Sequence, residues 1–201
     1  MAAPAFTRTD MDRADRTLEG SRYRLVPFDE TMVTDRYVAW LGDPAVTRFL
    51  EVRLTRQDRD SALAFVRSFC GPAERYMWAI VGGTVGEAIG TCTLYSVNRY
   101  HGSAELGLMI GEREQWGQGA SEEAIGLIAE FAFGRLELRR LTGGSYSRNH
   151  GMNFTYKRLG FTLEGRMRRA YRLDDDTYVD GYRWGLLADE WHARSINGPR
   201  A

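Results

Sequence analysis

One stretch restricts the fold more than any other: "AELGLMIGEREQWGQGASEEAIGLIAEFAF", from Ala104 to Phe133. It opens with the alternation of a strand over 104–110 and passes through two glycines one residue apart. It then runs into a helical pattern from about 121 to 134. "RRLTGGSY", over 139–146, reads as a further strand. Strand, helix, strand in that order is a β-α-β unit, which predicts two parallel strands joined by a right-handed connection.

Around this unit the pattern is mixed. "RYRLVPF" (22–28) alternates as a strand, and "TMVTDRYVAWL" (31–41) carries helical spacing. A second helix is predicted over 55–69, with Thr55 as its N-cap and Ala62, Phe65, Val66 and Phe69 on one face. Strands over 76–81 and 88–97 flank the Gly-rich hairpin "GGTVGE". "GMNFTYKRLGF" reads as a short helix closed by Gly160, and two final strands meet at the "LDDD" turn. The order β-α-α-β-β-β-α-β-α-β-β combines antiparallel meanders with one crossover, so the class is α+β. Residues 1–20 read as a disordered leader, 21–191 as one domain and 192–201 as a tail.

Composition narrows the function classes. The 27 basic and 27 acidic residues cancel, so nothing draws the whole chain toward nucleic acid or anionic lipid. No apolar run approaches the roughly 20 residues of a membrane span, and the polar N-terminus lacks a signal-peptide pattern. The expectation is a cytoplasmic protein. Lys157 is the sole lysine, which leaves little room for lysine chemistry. Cys70 and Cys92 form no C-x-x-C pair and read as reduced core residues. His101, His150 and His192 are scattered, without zinc-type spacing, so no metal site is assigned.

The bare backbone of "GQGAS" calls for an explanation. A helix start leaves N–H groups without intrahelical partners and carries partial positive charge. Glycines let a polyanion come close. A strand-to-helix junction of this kind is therefore a candidate pyrophosphate cradle; taken alone it is equally a tight turn. The Gly-Lys-Ser/Thr ending of a P-loop is missing, and Glu122 stands where a dinucleotide fingerprint needs its third glycine.

Taken with its flanks, the segment resembles the cofactor core of the Gcn5-related N-acetyltransferase (GNAT) superfamily. It is most similar to the RimJ/RimL-like branch of ribosomal-protein and small-amine acetyltransferases. That family's loop, Gln/Arg-x-x-Gly-x-Gly/Ala, aligns with Trp116, Gly119 and Ser121. "NHGMNFTYKRLGF" resembles the family's Asn-x-x-Ser followed by a Tyr and Leu-Gly-Phe, with Asn149 kept and Met152 in place of Ser. "WLGDPAVTRFLE" and "TYVDGYRWGLL" also resemble this branch, so the likeness spans about 21–191.

The resemblance implies a partly split mixed sheet flanked by helices, with acetyl-CoA as cosubstrate. It implies that the backbone of Leu108, Met109 and Ile110 pairs with the pantetheine arm. Trp116, Gly117, Gln118, Gly119, Ala120 and Ser121 would hold the pyrophosphate, and Asn149 would bond the cofactor arm. Glu123 matches the branch's usual glutamate and is expected to face away from the anion. A small-molecule amine is the preferred acceptor: an amino sugar, a polyamine or an antibiotic. A protein N-terminus is the alternative, and a non-catalytic acyl-CoA-binding module is the rival from another class. Homodimers are common in the branch.

Direct transfer needs a neutral amine, although a free alkyl amine has a pKa of about 10. It also needs a proton for the departing thiolate. Tyr156 is the candidate acid by resemblance; its helical spacing with Met152 and Leu159 also suits a packing tyrosine. Glu105 is the candidate base. Alternation sets it on one face with Gly107 and Met109, where it could equally be a strand residue paired with arginine. Glu51 and Asp180 are lesser candidates. The arginines of "RMRRAYR" could contact an anion or form a solvated hairpin face balanced by Asp174–Asp176. Tyr37, Trp40 and Trp78 could line the acceptor pocket or belong to the core.

Overall fold

The computed structural model describes residues 16–69, 74–82 and 87–196. Cys70, residues 1–15 and the tip of the "GGTVGE" hairpin lie outside the described residues. Eight strands form one sheet in the order β1-β2-β3-β4-β5-β6-β8-β7. They are β1 (Leu18–Glu19), β2 (Tyr23–Pro27), β3 (Tyr76–Gly82), β4 (Ala88–Asn98), β5 (Ser103–Ile110), β6 (Arg140–Tyr146), β7 (Thr162–Arg172) and β8 (Tyr178–Leu187). The helices are α1 (Asp35–Gly42), α2 (Pro44–Thr47), α3 (Arg59–Ser68), α4 (Ala120–Glu130), α5 (His150–Arg158) and α6 (Ala188–Ile196). Neighbouring strands are antiparallel except β5 and β6, which are parallel as the β-α-β pattern requires.

Helices cover both faces because the central strands are apolar on both sides. Tyr76, Trp78 and Ile80 of β3 point into one core with Ile125, Ile128 and Phe131 of the α4 region. Met77 and Ala79 point into the other, beneath Tyr37 and Trp40 of α1 and Val66 of α3. The α4 pattern ends in one π turn over Phe131–Arg135, so its apolar stripe continues one turn past the α-helix.

The helix predicted from Thr55 starts later. Asp58 is its N-cap, in a reciprocal capping box with Ser61, whereas the Thr55 hydroxyl donates to the Val52 carbonyl at 2.9 Å. The final residues read as a leader are built into the sheet: Leu18 is buried and pairs with Leu25, and the Trp78 indole donates to the Arg16 carbonyl at 2.7 Å. The residues read as the start of a tail continue α6, and Arg194 donates to the Arg158 carbonyl at the end of α5. Gly160 closes α5 at φ +85°, in the left-handed region that the sequence assigned to it.

Candidate active site

The parallel strands β5 and β6 pair over only four residues each, from Ser103↔Arg140 to Leu106↔Gly143. Both run on beyond that point, β5 to Ile110 and β6 to Tyr146. Tyr156 marks the parting. Its hydroxyl lies so close to Gly143 that a Cβ built there would sit 2.1 Å away. The ring is buried and stacks on Trp184, with centroids 5.7 Å apart. Past the parting, Gly107–Ile110 pair with β4 on one side, and among the described residues no strand lies opposite them on the other. The amides of Gly111 and Glu112 both donate to the Ile89 carbonyl, a bulge that turns the chain out of the sheet.

That turn leads to the glycine loop. Gly117 and Gly119 adopt φ +74° and +86°, which a side-chain-bearing residue enters only with strain. Gly119 is the N-cap of α4. Among the described residues, the amides of Gly117, Gly119, Ala120 and Ser121 meet no protein acceptor. Two residues expected in the cradle have their donors engaged elsewhere. Trp116 gives its indole N–H to the Ile110 carbonyl at 2.9 Å and its amide to Arg113. The Gln118 side chain donates to Glu114 at 2.7 Å, and its amide turns toward Gln115 at 3.4 Å. Trp116 and Gln118 thus brace the loop, and Trp116 also occupies the one carbonyl of Ile110.

The first-turn acids are both engaged by protein groups. The Glu123 carboxylate accepts from the amides of Arg22 and Tyr23 (2.8 and 3.2 Å) and from the Ser21 hydroxyl. Burial pushes its carboxyl up, but these donors outweigh that and hold it below the usual range. It faces away, as expected. Glu122 is paired with Arg158 at 3.1 Å. The sequence reading missed Arg22, whose guanidinium donates to the Gln118 carbonyl at 2.9 Å and lies 4.0 Å from where a Gly119 Cβ would sit. An arginine at the start of a strand carries no signal of this; the packing of α4 over β2 creates the contact.

A cleft of ≈ 1430 Å³ joins the loop to the parted strands and continues beneath α1–α3. Tyr156 and Glu105 both border it. Burial, with Tyr95 and Glu105 nearby, pushes the Tyr156 hydroxyl up, so it stays protonated at neutral pH. Glu105 is indeed paired with arginine: Arg183 donates to it at 2.7 Å, and Tyr95 stands opposite it on the neighbouring strand. Asn149 caps α5, its side-chain oxygen accepting from Met152 at 3.1 Å, which leaves the amide NH₂ as its donor at the cleft. Met152 therefore supplies a backbone N–H where a serine would add a hydroxyl.

Of the lesser candidates, Glu51 borders the cleft and accepts from the Tyr146 hydroxyl. Asp180 is held by Arg166 and by the Arg169 amide at 2.8 Å. Arg172 is paired with Asp176, so two hairpin arginines have carboxylate partners, as in the solvated-face reading. Trp40 and Trp78 belong to the two cores, whereas Tyr37 also borders the cleft, its hydroxyl pushed up to about 12 by burial. Cys92 is fully buried, and burial pushes its thiol far up, which suits a core residue and not a nucleophile.

The arrangement fits an acyl-CoA: bare amides at a helix start for the diphosphate, an unpaired strand edge for the pantetheine amides, and a hydroxyl at the parting. The sequence model described as "Acetyltransferase (GNAT) domain" matches residues 22–162. The chain is 26% identical over 153 residues to the uncharacterized N-acetyltransferase p20 of Bacillus licheniformis, covering 75% of this chain and 84% of that protein. Two solved structures share the fold at 18% identity and TM-score 0.75. One is RimL, a ribosomal L7/L12 alpha-N-protein acetyltransferase in complex with coenzyme A, with 87% of this chain and 99% of that chain covered. The other is a chimera of the spermidine N-acetyltransferase SpeG from Vibrio cholerae and hSSAT, with 87% and 100% covered.

Proposed function

The chain belongs to the GNAT acetyltransferase family, and from that premise we propose that it transfers the acetyl group of acetyl-CoA directly to the primary amine of a small molecule. GNAT acetyltransferases use acetyl-CoA, which supplies an activated thioester. The observation that carries the reading is the coincidence of three features in one cleft: the parted β5–β6 edge, the bare amides of Gly117–Ser121, and the Tyr156 hydroxyl at the point of parting.

The residues then divide the work. Gly117, Gly119, Ala120 and Ser121 hold the diphosphate, with the Arg22 guanidinium beside them. The exposed edge of Leu108 and Met109 aligns the pantetheine arm as an added strand would, and the Asn149 NH₂ bonds it further along. Glu105, oriented by Arg183, takes the amine proton, directly or through water. Tyr156 delivers a proton to the departing sulfur. The apolar roof of the cleft, with Val46, Phe49 and Phe65, favours a small acceptor over a protein terminus. An assay of thiol release from acetyl-CoA against amino sugars, polyamines and short peptides tests this. Turnover with small amines supports it; turnover confined to peptides would move the acceptor to a protein N-terminus, and cofactor binding without turnover would leave a binding module.

A further inference from the structure

Three carboxylates border the cleft, and each already has a partner. Glu51 holds the Tyr146 hydroxyl, Glu105 is paired with Arg183, and Glu122 with Arg158. Five arginines border it too. Arg22 donates to Gln118, Arg56 is paired with Asp58, and Arg158 and Arg183 hold the glutamates just named. Arg75 differs. Among the described residues it makes no hydrogen bond or ion pair, although it is half-buried. A guanidinium at the edge of a cleft, with no acceptor among the described residues, can take an anion bound there.

Its position follows from the strand register. Tyr76 faces the core beneath α4, so Arg75 shares the opposite face with Met77, beneath α1 and α3. The pairing Tyr76↔Leu94 sets Arg75 opposite Tyr95, and Tyr95 is opposite Glu105 on β5. Arg75, Tyr95 and Glu105 therefore stand side by side across the sheet, and Arg183 of β8 reaches that row through its bond to Glu105. Over the Arg75 end lie apolar side chains, including Phe65 and Phe69.

Resting on the transferase reading above, we propose that the acceptor carries one primary amine and, at its other end, an oxyanion that binds Arg75. A polyamine is the wrong class of acceptor for this cleft. It would bring several positive charges to a cleft whose three carboxylates each have a partner and where, among the described residues, Arg75 is a cation without one. The row also sets a length. Two strand spacings of about 4.8 Å separate β3 from β5, so amine and anion stand on the order of 5–10 Å apart. That selects an ω-amino acid or an amino-sugar phosphate over an α-amino acid.

The test is a set of matched acceptors with the full-length enzyme and acetyl-CoA: 6-aminohexanoate against hexylamine, glucosamine 6-phosphate against glucosamine, and spermidine. One anionic member is expected to exceed its neutral partner in kcat/KM by about tenfold, as a charge-assisted hydrogen bond would give. Which pair responds tells carboxylate from phosphate. In Arg75→Gln the anionic-to-neutral ratio should fall toward one, with the loss appearing in KM. Spermidine outrunning both anionic amines, or a ratio unaltered in Arg75→Gln, overturns the proposal while leaving the transferase reading intact. Absence of acetyl-CoA binding by calorimetry sinks the transferase reading itself.

Discussion

The two ends of the cleft are built from different material. The loop end is backbone: two glycines at positive φ and a helix start whose amides meet no acceptor among the described residues. The parted end is side chains: Tyr156 from α5, Glu105 from β5, Tyr95 from β4 and Arg183 from β8. Backbone amides recognise any diphosphate in reach and depend on local chain geometry alone. The side-chain end depends on four elements meeting, and a single substitution can redirect it. One end suits a cosubstrate common to a whole family, and the other suits an acceptor that varies within it.

If the ends are separable, substitutions at each should move different constants. The largest effect is expected from Tyr156→Phe, which keeps the buried ring and removes the hydroxyl proposed as proton donor. Turnover should fall by about 100-fold or more while the Kd for acetyl-CoA holds. Near-wild-type turnover would return Tyr156 to a packing role and dissolve the contrast. Gly119→Ala has room for the methyl but strains a left-handed residue by about 1–2 kcal/mol. Coenzyme A affinity by calorimetry should weaken by about tenfold, with turnover at saturation largely kept. Asn149→Ala should lower unfolding free energy in urea by about 1 kcal/mol through loss of the α5 cap.

A smaller, pH-dependent effect should come from Glu123→Gln. The folded carboxyl lies below its ordinary value of 4.5, so the charged form stabilises the fold above that value. The contribution is lost as pH falls through the lowered folded value. Wild type should therefore exceed the variant in stability at neutral pH, and the gap should close in acid. The smallest effect belongs to Arg172→Ala on the exposed hairpin, which should leave Tm and both KM values within error. A clear rise in either KM would bring the β7 arginines into the site.

The same contrast explains what could be read from the sequence. Gly119 was read for close approach of an anion and its positive φ emerged only in the structure, whereas Gly160 was legible because a left-handed cap is a local demand that few other residues meet. The alternation of Glu105, Gly107 and Met109 against Leu106, Leu108 and Ile110 was legible for the same reason, and Met109 and Leu106 do fall in opposite cores. The α3 start was misjudged because Thr55 and Asp58 are both capable caps, and the Ser61 side chain decides for Asp58. The pairing of Leu18 with Leu25, the Arg22 contact at the loop and the row from Arg75 to Arg183 are tertiary. They depend on which strands neighbour which, and residue spacing does not record that.

The most direct test reads the loop amides themselves. In ¹⁵N-labelled protein titrated with coenzyme A, the N–H resonances of Gly117, Gly119, Ala120 and Ser121 should show the largest downfield shifts in the chain, as hydrogen bonds form to the diphosphate. Pantetheine, which lacks that group, should leave those four unmoved while still shifting Leu108 and Met109. Loop amides that stay in place while coenzyme A binds elsewhere would contradict the account.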